Sequence, residues 1–462
     1  MHLKKFAKKY VGDRAFYAMV LGVAVPIMIQ NGITNFVSML DNIMVGQMGT
    51  ESMSGVAIVN QLLFVFSLCV FGGVSGAGIF VAHFYANGNH EGLRSTLQFK
   101  LILAVILTVI GTAIYMAADS ALISLYLHDG SESGDIAATL EYGIDYMAVM
   151  LIGLLPFAFT QAYASTLRET GETIVPMLAG VAAVLVNLCL NYVLIFGKFG
   201  APRLGEVGAA WATFTARAVE LLVVIVYLIF FDKKIRITLK SLISFKTDLF
   251  KTYIKTSVPM VGSGFFWGAA MFIQAAILGH LQTAADGVSV IAANSVATTV
   301  FSIVSVFSYG AANATSVLIG KTIGEGKKHK LKEYAVTLQL LFLLIGIVAG
   351  AVLFFSRYAI LSIYDITEKT RELADALICV LSVTSVGTSY QVACLTGIVR
   401  GAGDTKFVLV NDLIFMWLLV LPVSFAAAFW LNLSPVVVFI CLKSDQILKC
   451  IVAAVKVNRF RW

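Results

Sequence analysis

An apolar run that opens at Pro26 contains a single carboxylate, Asp41, five positions before Gly46. At a helical rise of roughly 1.5 Å per residue, Asp41 lies about 8 Å inside the end of that run. A carboxylate at such depth is costly and normally faces a cavity on an ion or proton pathway, the alternative being an interfacial Asp close enough to the helix end to stay hydrated. Further on, Asn187 and Asn191 are spaced i, i+4, so their amides share one helix face. Thr213 falls at comparable depth on the next span, which opens near Gly208. Amide and hydroxyl oxygens beside a carboxylate suit a dehydrated Na⁺ or a proton relay. They suit plain hydrogen bonding between helices equally well. Arg217 and Glu220, spaced i, i+3, can form a structural pair or extend the same network. Met39, Phe64, Phe265, Phe266, Trp267, Met271 and Gln274 are candidates to line a cavity, since Met is adaptable and aromatic faces attract organic cations, but side chains of these types serve equally to face lipid or to pack between helices.

These residues need elements that hold them in a membrane. Hydrophobic residues make up 59% of the 462 and charged residues only 13%. A soluble surface cannot be solvated at about half the usual charge. The apolar runs, such as Leu101 to Ala118, are continuous, whereas a barrel shows alternating segments of about ten residues. With about 20 residues per span, the polar breaks predict twelve helices. They fall near 16–46, 53–85, 96–118, 139–167, 174–197, 207–231, 253–281, 288–322, 332–356, 372–399, 406–430 and 435–456. The fold class expected is an all-α integral membrane protein. The basic N-terminal segment precedes an apolar stretch too long for a signal peptide, so it reads as a retained first span. Lys and Arg crowd residues 4–14, the segment after the sixth span and the loop after the eighth, which places both termini in the cytoplasm. The net charge of +7 is therefore topological and calls for no nucleic acid.

The chain repeats itself. Pro26-Ile-Met-Ile-Gln, leading to Asp41-Asn-Ile-Met-Val-Gly46, is answered by Pro259-Met-Val-Gly-Ser, leading to Gln274-Ala-Ala-Ile-Leu-Gly279, at an offset of 233 residues. Gly76-Ala-Gly78 is answered by Ala312-Asn-Ala314 at 236, and Arg168-Glu-Thr-Gly-Glu-Thr173 by Arg400-Gly-Ala-Gly-Asp-Thr405 at 232. Two pseudo-two-fold-related six-helix bundles follow: an N-terminal lobe at 1–231, a basic cytoplasmic linker at 232–252 and a C-terminal lobe at 253–462. Parallel repeats of this kind meet at a substrate cavity in transporters and rock to give alternating access. Gln274 stands where the first repeat has Asp41, so the ion site is expected in the N-terminal half alone. In the C-terminal half, Asp445 and Lys449 form an i, i+4 pair near Lys443, and Asp412 sits near the cytoplasmic end of its span, open to hydration.

The stretch from Pro26 to Gly49 resembles the first helix of the multidrug and toxic compound extrusion (MATE) family. So do Asn187 to Gly197, the run from Pro202 through Gly205 and Gly208 to Thr213, the Arg400–Thr405 motif and Lys443-Ser-Asp445 with Lys449. The resemblance runs from about residue 15 to 462 and includes the duplication. It implies a secondary antiporter that expels organic, often cationic, compounds in exchange for H⁺ or Na⁺. It also implies that Asp41, Asn187 and Thr213 couple the ion. Many relatives have Asp where this chain has Asn191, so a shared proton between two carboxylates is replaced here by Asp41 alone, and Na⁺ at Asp41 stays open. No cofactor and no other metal is implied. A monomer in the membrane of a prokaryotic cell is expected, with membrane lipid and small organic substrates as its partners.

Rival functions fit less well. Thr315-Ser-Val-Leu-Ile-Gly320-Lys321-Thr322 approximates a phosphate-binding loop, but it has Thr315 where glycine is required and ends a helix instead of following a strand. Enzyme chemistry finds no HExxH, and His83 and His280 have no partner at ligand spacing. A flippase for a lipid-linked saccharide shares the architecture and is the alternative; it favours a more highly charged cavity.

Overall fold

The computed structural model describes residues 14–125, 136–232, 249–281, 290–362 and 367–459. The N-terminal half supplies α1 (Arg14–Gly46), α2 (Thr50–Ala86), α3 (His90–Ser124), α4 in two segments (Ile136–Ile152 and Leu154–Glu169), α5 (Ile174–Phe196) and α6 (Gly205–Phe230). The second half repeats the order with α7 (Phe250–His280), α8 (Val290–Gly324), α9 (Lys328–Leu361) and α10 (Glu368–Val392, continued by Ala393–Val399). It ends in α11, from Thr405 to Trp430, and α12 (Pro435–Lys443 and Asp445–Asn458). Among the described residues there is no strand. Among the described residues, ten helices are long and apolar enough to cross a membrane, and the two segments of α4, bent by 46°, make an eleventh if taken as one span. Pro156 explains that bend, since it has no N–H for the carbonyl of Ile152 and its ring crowds that carbonyl. The twelfth helix is broken at Ser444 and charged at Lys443, Asp445, Lys449 and Lys456, which leaves neither piece a continuous apolar span.

Packing divides the chain differently from the sequence repeat. One compact unit is residues 29–265; the other joins residue 28 and those before it to 266–462. Each unit thus includes half of a helix that starts in the other half of the repeat. In the second unit, Phe16 and Val20 of α1 are buried among residues of α8, α9 and α10, with the Phe16 ring 4.8 Å from that of Tyr334. In the first, Tyr253 of α7 is fully buried, accepts a 3.0 Å hydrogen bond from Thr96, and packs against Phe80 and Phe99. Pro26 and Pro259 lie inside α1 and α7, close before these handovers, and each deletes one backbone hydrogen bond from its helix. The linker assigned to 232–252 falls largely outside the described residues.

Helices in lipid associate through close backbone approach at small residues, because lipid tails are as apolar as leucine. In the first unit, α2 meets α7 in this way. A Cβ on Gly76 would sit 2.8 Å from the Ser257 Cα, and one on Gly264 would sit 2.5 Å from the Leu68 carbonyl. The repeat also explains a swap. Gly78 of α2 leaves room for the carboxylate of Glu169 at the end of α4, whereas in the second half Gly401 itself is the small partner: a Cβ there would sit 3.0 Å from the Ser316 Cα of α8.

Candidate ion-coupling site

The N-terminal site is built by a tight connection between α5 and α6. Gly197 ends α5 at φ +65° and Gly205 opens α6 at φ +59°, left-handed values that side chains disfavour. Between them the chain folds back, and the Leu204 N–H donates to the Leu194 carbonyl at 2.9 Å. Gly208 then lets α6 lie directly on α5, since a Cβ there would stand 2.8 Å from the Leu194 carbonyl. This contact fixes the depth match between the two helices. Gly208→Val is expected to push them apart, lower the unfolding midpoint in detergent by the equivalent of about 1–3 kcal/mol, and abolish transport, with Gly208→Ala intermediate. A wild-type midpoint in the valine variant would show that the crossing is not set here.

That crossing brings three of the four proposed coupling residues together. Asn187 and Asn191 are 5% and 1% exposed. The Asn191 amide donates to the Asn187 side-chain oxygen at 3.3 Å, and the Asn187 amide donates to the Thr213 hydroxyl at 3.2 Å. The i, i+4 spacing and the shared depth are thus realised as one buried hydrogen-bonded row. The side chains of Asp41 and Met39 lie outside the described residues; the backbone at both positions belongs to α1.

Arg217 and Glu220 depart from the pairing that their spacing allows. The Arg217 guanidinium donates to the Gly153 carbonyl at 3.4 Å and lies 5.0 Å from the centre of the Phe157 ring. No ion pair joins it to Glu220 among the described contacts. The bend in α4 supplies the reason, because it presents the Gly153 carbonyl to α6 at the break between its segments. Glu220 faces Arg168 as well as Arg217 electrostatically.

Sequence reasoning gave no role to a second buried cluster. Lys100 is fully buried on α3 and donates to Ser165 (2.8 Å), Thr166 (3.2 Å) and Glu169 (2.6 Å). A lysine ten residues inside an apolar helix was the available signal, obscured by expecting that helix to start at 96. It starts at His90, because the Asn89 side chain accepts from the Gly92 N–H at 2.9 Å and caps it.

The aromatic set splits. Phe64 and Phe265 are exposed, whereas Trp267 packs against the core of the second unit. Phe266 lies edge-on to Trp417, and its carbonyl accepts the Trp417 indole N–H at 3.3 Å. Met271 is half-buried. Gln274 is buried, close to the Met416 sulfur (3.2 Å) and the Lys443 ammonium (3.5 Å). Where the first repeat has a carboxylate, the second therefore has an amide beside a lysine.

The duplication and the helix order agree with a family model, MatE, which matches residues 26–193 and again 259–426. The chain belongs to the MatE family. MatE proteins are transporters and not enzymes, and they need no cofactor. Among relatives, a probable multidrug resistance protein NorM of Thermotoga maritima is 25% identical over 93% of this chain and 89% of its own length. A probable NorM of Photorhabdus laumondii is 27% identical over 87% of this chain and 86% of its own. A MATE transporter in a bent conformation superposes with TM-score 0.82 at 21% identity, covering 95% of this chain and 94% of its own. An outward-facing MATE family multidrug resistance transporter does so with TM-score 0.82 at 20% identity, covering 95% and 94%. The fold is thus that of a MatE transporter, a multi-pass membrane protein.

Proposed function

We propose that this MatE transporter is a secondary antiporter that extrudes organic, often cationic, compounds in exchange for H⁺ or Na⁺ by alternating access. The buried row Asn191–Asn187–Thr213 carries this reading. A row of amide and hydroxyl groups at matched depth on adjacent helices offers oxygens to a dehydrated cation, or a relay to a proton, at a carboxylate on α1. Asp41 is that carboxylate in this reading. The names of the relatives, multidrug resistance proteins, support organic substrates, and the exposed Phe64 and Phe265 suit the faces of organic cations. Both termini are assigned to the cytoplasm of a prokaryotic cell on the positive-inside argument, and the transporter is taken to act as a monomer.

Efflux of ethidium from vesicles reconstituted with the full chain tests this. An imposed pH gradient or an imposed Na⁺ gradient should drive efflux, and the effective one names the coupling ion. Efflux that ignores both gradients would overturn antiport.

A further inference from the structure

The second segment of α12 is polar inside and apolar outside. Asp445, Lys449, Ala453 and Val457 are buried, whereas Ile447, Ile451 and Val455 are exposed. The three exposed residues follow one another at i, i+4 and form one inclined row on the helix surface. Arg459 continues that row, four positions past Val455, and its N–H donates to the Val455 carbonyl at 3.0 Å, so the helical turn reaches it. The row therefore runs through three apolar side chains to a cation. At about 1.5 Å per residue it is about 18 Å long, a little over half of a hydrocarbon core about 30 Å thick. That matches the depth of a single leaflet.

Beside this row α11 and α12 flank an open groove of about 670 Å³. Phe407, Ile451 and Val455 wall it, and Asp404, Lys456 and Arg459 line it at the helix ends. Asp404 caps α11, one oxygen accepting from the Phe407 N–H at 3.3 Å, and its other oxygen meets the Lys456 ammonium at 2.7 Å. Lys456 also lies 4.2 Å from the centre of the Phe407 ring. These contacts tie the start of α11 to the end of α12 and engage both of those charges. Arg459 is exposed, and among the described residues its guanidinium makes no ion pair and no hydrogen bond. The lining thus holds one cation in excess. The repeat does not demand that charge, because the corresponding helix ends of the first half, the opening of α5 and the close of α6, expose Ile174, Phe230 and Phe231.

An occupant of the groove has to be anionic at one end and apolar over most of a leaflet. A free anion would leave the apolar wall uncovered, and an acyl chain alone would leave Arg459 unanswered. A guanidinium grips phosphate through two parallel N–H···O bonds, and basic pockets between spanning helices take anionic headgroups. A zwitterionic headgroup brings an ammonium with its phosphate and cancels the attraction. One net negative charge matches the one excess cation.

We infer that the groove between the start of α11 and the end of α12 binds a glycerophospholipid with a single net negative charge. Its phosphate sits on Arg459, and one acyl chain runs along Val455 and Ile451 toward Ile447. The excess of Lys and Arg that assigns both termini to the cytoplasm assigns this lipid to the cytoplasmic leaflet. Neither the ion site nor the antiport reading is needed for it to bind.

The test is native mass spectrometry of the full chain in detergent. The chain is titrated with dioctanoyl-phosphatidylglycerol, with dioctanoyl-phosphatidylcholine or, as the headgroup alone, with glycerophosphoglycerol. The parent should retain one phosphatidylglycerol at concentrations where it retains neither of the others. Arg459→Gln should bind it about fivefold more weakly, the worth of one basic residue at an anionic surface. Arg459→Lys keeps the charge without the planar fork and should fall between, which preserves the test if the glutamine variant folds poorly. Lys330→Gln removes an exposed charge elsewhere in the same unit and should bind as the parent does. Parental retention in Arg459→Gln overturns the site. So does equal retention of phosphatidylcholine, or an equal loss in Lys330→Gln, which would mark diffuse attraction. Glycerophosphoglycerol retained as well as the lipid would make this a site for free anions and overturn the lipid.

Discussion

Asp41→Asn is expected to insert and fold as the parent chain does, yet to lose gradient-driven efflux down to the level of empty vesicles. The substitution keeps side-chain volume and one hydrogen-bonding oxygen, and it removes the charge. On insertion scales a centrally placed Asp costs about 2.5–3.5 kcal/mol, so an amide is the easier group to embed. Stability should therefore hold or rise. Coupling should fail, because an amide neither takes up a proton near neutral pH nor neutralises Na⁺. Asn187, Asn191 and Thr213 remain in their row, so the polar surroundings are unchanged. Binding of an organic cation to the purified variant should persist if ion and substrate occupy separate places. Efflux is measured from reconstituted vesicles under a pH gradient and, separately, a Na⁺ gradient. Undiminished efflux in Asp41→Asn under the gradient that drives the parent would remove Asp41 from the ion site.

The helices and the duplication were legible because they rest on local signals: apolar run length, polar breaks and motifs at near-constant offset. The Asn187–Asn191–Thr213 row was legible for a similar reason. Its members are ordered by helical spacing and by one short turn, whose glycines fix the depth of α6 against α5. What escaped the sequence depends on packing between elements distant in the chain. Asp445 and Lys449 announce themselves by i, i+4 spacing, but nothing local says that Lys449 also reaches Asp412, 37 residues away. Asp412 was accordingly expected to be simply hydrated near a helix end. Arg217 shows the same limit from the other side: spacing permits contact with Glu220, while the bend at Gly153 offers a carbonyl that spacing cannot foresee. The handover of α1 and α7 between packing units is likewise invisible to a repeat, which records ancestry and not contact.

Lys100→Met should be among the most destabilising single changes in the chain. Lys100 has no solvent exposure and is the ammonium against which the Glu169 carboxylate, 11% exposed, rests at 2.6 Å. Removing one partner of a buried ion pair costs about 3–5 kcal/mol, because the remaining charge is left in a medium that solvates it poorly. Here the Ser165 and Thr166 hydroxyls would also lose the donor that they share. Gly78 packs directly on Glu169, so the carboxylate has little room to swing toward water. The expected result is a large fall in folded yield and in the thermal midpoint, read by size-exclusion chromatography and melting in detergent. Lys100→Met combined with Glu169→Met should recover most of both, since apolar groups of similar volume can replace a buried pair at little cost. That recovery separates an electrostatic loss from a packing loss. A single variant as stable as the parent, or a double variant no better than the single, would show that the pair does not hold the end of α4 to α3.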